Sequence, residues 1–209
     1  MTKNHKITKI VIAILCAVVA SATFFTLFTP VLIQKTDNGK TETVVQEFTI
    51  ANAIKGGLYD YKNDTKDPIT NQLIKYGKLP EMAQYYFQTF ILLSPEGVTP
   101  VGSLVAVFLI LSLIVSLLMI VATIVTIGTG NDYFVAQLIF GVLHIAFTVA
   151  IALCVPKLTE MVTNEVLVQL NCKIEVGLAW IIMLVSGISY LVFVLLGKLL
   201  SKIGNSKIG

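Results

Sequence analysis

The chain has no arginine, one tryptophan, two histidines and three cysteines in 209 residues, and only 13% of its residues are charged. Each shortage closes off a class of activity. His5 and His144 are the only imidazoles, and neither shares ligand spacing with a cysteine or an acidic pair, so no metal-site pattern exists. A phosphate-binding glycine loop, a G-x-S-x-G elbow and an H-E-x-x-H run are all missing. Enzyme is therefore the least supported class, and no cofactor is expected. Asp60, Asp64 and Asp67 lie near Asn63, but the calcium-loop pattern fails at its glycine and at Asn71, leaving a solvated turn broken by Lys62 and Lys66.

Charge is absent altogether from four stretches. Blocks 10–33, 101–127, 134–155 and 176–197 contain no Asp, Glu, Lys or Arg. A helix needs roughly 20 apolar residues to cross a hydrocarbon layer about 30 Å thick, and each block is long enough. The expected fold class is an all-α membrane protein: a four-transmembrane-helix bundle in a lipid bilayer, with a small α+β extracytoplasmic domain in the first outer loop. Lys3, Lys6 and Lys9 followed by Ala20-Ser21-Ala22 also have the features of a signal peptide. The apolar run continues to Ile33, too far for such a segment, so the first block reads as an uncleaved anchor.

Orientation follows from the lysines. Both tails, 1–9 and 198–209, carry three lysines each, whereas the 128–133 turn has none. With tails and turn cytoplasmic, the inner face holds six lysines and Asp132, and the outer face nine lysines and eleven acids. The net charge of +3 is thus the positive-inside bias itself and no argument for nucleic acid. Segments 34–100 and 156–175 become the outer loops, in an integral protein of the plasma membrane.

In the first outer loop, Asp37-Asn38-Gly39 between β-prone runs predicts a hairpin, with the chain leaving the first helix at Pro30. The spacing over 80–93 predicts an amphipathic helix with Met82, Tyr86, Phe90 and Leu93 on one face, a candidate interaction surface. Thr99 and Pro100 are placed to cap and start the second span. Cys154 and Cys172 fall on the outer side as a candidate disulfide, with ordinary burial of Cys154 as the alternative.

His144 stands in the middle of an apolar run, GVLHIAFTVA. Ser112 and Ser116 fall at the centre of the second span, and Ser186, Ser189 and Tyr190 at or near the centre of the fourth. These residues form a candidate membrane-buried polar layer. Two readings of His144 are open: a neutral ring bonded to a serine or tyrosine, or a titrating group on a polar path. The lack of any carboxylate in the four blocks favours the first. Small residues repeat at Ala13, Ala17 and Ser21, permitting close helix approach.

In topology, with four spans, cytoplasmic ends and a longer first outer loop with β character, the chain resembles claudin-type tetraspans. Gly56-Gly57-Leu58-Tyr59 is similar to the Gly-Leu-Trp of that family's outer loop. Tyr59 replaces the tryptophan, and residues 34–100 lack the paired cysteines, so no functional residue carries over. The function expected from the sequence is a non-enzymatic scaffold, accessory or adhesion-like subunit. It would meet a membrane-protein partner or a second copy of itself through its outer domain. The alternative is a small oligomeric transporter or channel subunit in which His144 titrates.

Overall fold

A computed structural model describes residues 3–37, 42–49, 100–129, 133–165 and 171–206. Predicted features at 80–93, at Asp132 and around Asp60–Asp67 lie outside them. Helices α1 (Lys3–Ala22), α2 (Pro100–Thr129), α3 (Phe134–Glu165) and α4 (Leu178–Ser206) are joined by strands β1 (Leu32–Asp37), β2 (Glu42–Phe48) and β3 (Asn171–Val176). A 3₁₀ turn, Thr23–Leu27, follows α1.

The four helices contain stretches long and apolar enough to cross a membrane: Ile7–Leu27, Val107–Thr129, Phe134–Glu160 and Leu178–Leu200. Their surface chemistry supports the same conclusion. Val18, Val135, Ile124 and Ile181 point outward, whereas Ser112, Ser116, Thr123, His144 and Thr148 are wholly buried. In water this distribution would cost free energy twice, by wetting apolar side chains and by burying polar ones. In lipid it is favourable, because the hydroxyls of Ser116, Thr123 and Thr148 find partners inside and hydrocarbon faces hydrocarbon. The protein is an integral membrane protein built as a helical bundle.

The chain divides into two compact units. One comprises Met1–Phe25, Phe108–Ala150 and Ile181–Gly209. Its core is formed by Cys16 and Ala20 of α1, Val115 and Met119 of α2, and Tyr190 and Val194 of α4. Phe134, Phe140 and Phe147 of α3 pack against that cluster. Phe108 and Phe147 stack with ring centroids 6.1 Å apart, and Lys198 lies 5.2 Å from the centroid of the Phe134 ring.

The second unit comprises Thr26–Val107 and Ile151–Trp180. It holds a three-stranded antiparallel sheet in the order β2-β1-β3. β1 and β2 flank the Asp-Asn-Gly segment and pair from Leu32↔Phe48 to Asp37↔Glu42. Gln34 pairs with Gln46 but Lys35 with Val44, so Val45 is an extra residue forming a bulge. Val31, Leu32, Ile151, Leu158 and Ile174 are buried in this unit.

The elements depart in several places from the apolar blocks and the loops between them. Leu32 and Ile33, read as the end of the first span, belong to β1: α1 ends at Ala22 and its 3₁₀ turn at Leu27, before Pro30 is reached. α3 passes through Pro156 and continues to Glu165, past the block's end at 155. The proline removes one backbone donor, but LTEMVTNE resumes the helix and Lys157 pairs with Glu160 at 2.7 Å, one turn on. The segment read as the second outer loop also contains a strand: β3 pairs along the whole of β1, from Leu32↔Val176 to Asp37↔Asn171.

Two bonds continue that ladder into α4. The Gly177 amide donates to the Val31 carbonyl at 2.7 Å and the Ala179 amide to the Pro30 carbonyl at 2.9 Å. A side chain at Gly177 would run into the Pro30 carbonyl, so this close approach requires glycine. From α3, the Thr159 hydroxyl accepts the Ile174 amide at 3.2 Å. Glu175 pairs at 2.7 Å with Lys35 across the sheet and with Lys173 on its own strand. Hydrogen bonds from Lys173, and then from Lys35, hold the Glu175 carboxyl below its ordinary range.

Candidate functional site: a buried polar layer

Within the helical unit, the predicted layer residues His144, Ser112, Ser116, Ser186 and Tyr190 are all buried, while Ser189 is half-buried. Their partners are mainly backbone carbonyls. His144 Nδ1 lies 3.2 Å from the Ser112 carbonyl oxygen of α2. Its Nε2 lies 3.1 Å from the Met183 carbonyl oxygen of α4. The sequence pointed to a serine or tyrosine hydroxyl as the ring's partner; the structure places main-chain oxygens there.

Gly187 makes this contact accessible. In an α-helix the residue four positions on covers the carbonyl of the earlier turn, and here that residue has no side chain. A Cβ at Gly187 would lie 2.9 Å from His144 Cδ2 and 2.7 Å from Ile145 Cγ1. The arrangement is reciprocal, since Gly141 of α3 faces Leu191 and Tyr190 of α4. Two glycine notches thus bring α3 and α4 close enough for the ring to reach the main chain of its neighbour.

The hydroxyls finish α1. The last four carbonyls of an α-helix have no partner within it, and for α1 these begin at Val19 and Ala20. Ser186 Oγ donates to the Val19 oxygen and Ser116 Oγ to the Ala20 oxygen, each at 2.5 Å. Because Ser186 donates to Val19, Thr23 is the donor in the 3.4 Å contact between the two hydroxyls. Towards the other end of the bundle, the Tyr190 hydroxyl lies 3.3 Å from the Met119 oxygen and 3.4 Å from Thr123 Oγ1. Gln137 donates to Thr126 at 3.3 Å.

Sequence reasoning did not single out Thr23, Thr123, Gln137, Thr148 or the Met183 carbonyl. Thr123 and Thr148 bond the carbonyl one turn back, Met119 and His144 respectively, at 2.8 Å, a habit of threonine inside helices that leaves no periodic signal. Main-chain acceptors have no residue type at all. Cys154 carries a free, partly buried thiol, and the Cys172 side chain lies outside the described set. Among the described residues no three His, Cys, Asp or Glu side chains come together as metal ligands.

Compared with protein-family models, with curated proteins and with solved structures, the chain matches none.

Proposed function

We propose that this chain is a non-enzymatic membrane subunit that works by association, as a scaffold, accessory or adhesion-like protein of the plasma membrane. Both termini are cytoplasmic in this reading, which the lysine distribution supports. One observation carries it: the polar groups inside the bundle bond the bundle's own backbone. Ser116 and Ser186 close the end of α1, Tyr190 bonds α2, and His144 spans α2 and α4. Such bonds hold helices together, and they direct the search for function to the outer surfaces. There the aromatic face Met82, Tyr86, Phe90 and Leu93 is the proposed contact with a membrane-protein partner or a second copy.

The test is purification of the tagged chain from native membranes in mild detergent, with mass spectrometry of the recovered complex. A stoichiometric membrane partner that is lost from Tyr86→Asp and Phe90→Asp variants with normal insertion would support the reading. Recovery as a monomer with no stoichiometric companion would overturn it. A homo-oligomer that conducts ions would replace it with the transport reading.

A further inference from the structure

A neutral imidazole has one N–H and one lone pair, while an imidazolium has two N–H donors. Both oxygens facing His144 are backbone carbonyls, at 3.2 Å and 3.1 Å, and a carbonyl only accepts. Either neutral tautomer therefore satisfies one contact and turns a lone pair towards the other oxygen. The imidazolium satisfies both. A second observation concerns the same neighbour. Ser112 Oγ is fully buried and has no hydrogen-bond partner, although it belongs to the residue whose carbonyl faces Nδ1. Ser112 thus places an acceptor, its carbonyl, against Nδ1 and carries an uncommitted donor, its hydroxyl, on the same residue.

We propose that His144 and Ser112 form a proton-binding site inside the bundle. In the neutral state Nε2–H donates to the Met183 carbonyl, and the Ser112 hydroxyl donates to the Nδ1 lone pair. On acidification that lone pair forms a bond to a proton delivered by hydronium, releasing water. The new Nδ1–H then donates to the Ser112 carbonyl, and the hydroxyl is set free. The geometry of the structure matches this proton-loaded state. Every polar atom of the ring is bonded in both states, so the proton enters without opening the helices. It converts the link between α2 and α4 into two charge-assisted bonds.

The surrounding charges are few. No carboxylate or ammonium occurs in any of the four apolar blocks. Among the described residues, the other buried titratable side chains of this unit are Cys16 on α1 and Tyr190 on α4, and Tyr190 is engaged with Met119 and Thr123. α2 presents the Ser112 carbonyl to the ring and α4 the Met183 carbonyl. The proton's charge is therefore met by main-chain dipoles, and the hydroxyl of Ser112 sets how strongly the neutral form competes.

The experiment is nitrogen-15 NMR of the full chain in lipid nanodiscs, with His5→Gln leaving His144 as the sole histidine, over about pH 4.5 to 8.5. The expected spectrum is an Nε2–H tautomer at high pH that converts to an imidazolium on acidification. Ser112→Ala removes the donor that stabilises the neutral ring, so its midpoint moves upward by about half to one pH unit. Ser112→Thr retains a hydroxyl and keeps the parent midpoint. A ring locked in one form throughout, or a midpoint unchanged in Ser112→Ala, overturns the proposal. A protein that recruits its partner yet never titrates would sink this site alone and leave the association role standing.

Discussion

Gly187 of α4 and His144 of α3 are mutually dependent: a single methyl group at position 187 would sit 2.9 Å from the imidazole Cδ2. The ring reaches the Met183 carbonyl at 3.1 Å only because that volume is empty. Replacing Gly187 with alanine should therefore do more than add a methyl to a helix. Alanine normally favours helix over glycine, yet here overpacking should cost about 1–3 kcal/mol. Thermal unfolding of the purified chain in detergent checks the sign. A Gly187→Ala variant more stable than its parent would show that the contact is loose.

Ser116→Ala and Ser186→Ala should each destabilise the bundle by about 0.6 kcal/mol, and at most by about 1.7 kcal/mol, the range for interhelical hydrogen bonds in membranes. The loss should be local to the end of α1. Hydrogen exchange should quicken at Thr23 and its neighbours while α2 amides stay protected. Uniform loosening of all four helices would mean that the serines act on packing rather than on α1.

Acid should weaken the sheet through Glu175. Its carboxyl is held below the ordinary value of 4.5 by Lys173 and Lys35, so the folded state binds its proton more weakly than the unfolded state. The contribution is complete above the unfolded value and disappears as pH falls through the lower, folded one. Glu175→Gln should remove that part of the pH dependence and lower stability at neutral pH by well under 1 kcal/mol, because the pair is partly solvated. Denaturation curves at neutral and acid pH would converge for parent and variant at the acid end. Curves that stay parallel would remove Glu175 from the acid response.

His144→Leu separates association from transport. Under the association reading, vesicles containing the parent leak no ions beyond protein-free vesicles, and the variant still recovers its partner. Parent flux abolished by His144→Leu at normal expression would establish the transport alternative. Parent flux unchanged in that variant would exclude His144 from whatever path conducts it.

Much of this architecture was legible in the sequence, for a physical reason. Long uncharged runs report the solvent around a helix, and the four spans and the buried position of His144 follow from that alone. The strands around Asp-Asn-Gly were readable because turn chemistry is local; the end of α1 at Ala22, well before Pro30, was not. β3 had a signal that went unread: Cys172, Ile174 and Val176 alternate with Lys173 and Glu175 at strand period. Its partner lies far away in sequence, and a connecting loop and a strand look alike until that partner is known. The ring's acceptors were beyond reach for another reason. Ser112 was named for its hydroxyl, but the contact is made by its carbonyl, which every residue carries.

The sheet imposes a delay on the protein's biosynthesis. β1 is its middle strand, yet one neighbour, β3, is synthesised roughly 130 residues later, which at usual translation speeds means about 7 to 27 s. During that interval β1 has only β2 beside it and presents a raw edge to other extended chains. The ribosome must make two further spans before that edge is sealed. A pause, a premature stop or a slow insertion in α3 would lengthen this exposure, so the newborn chain is most open to mispairing well before its last helix exists.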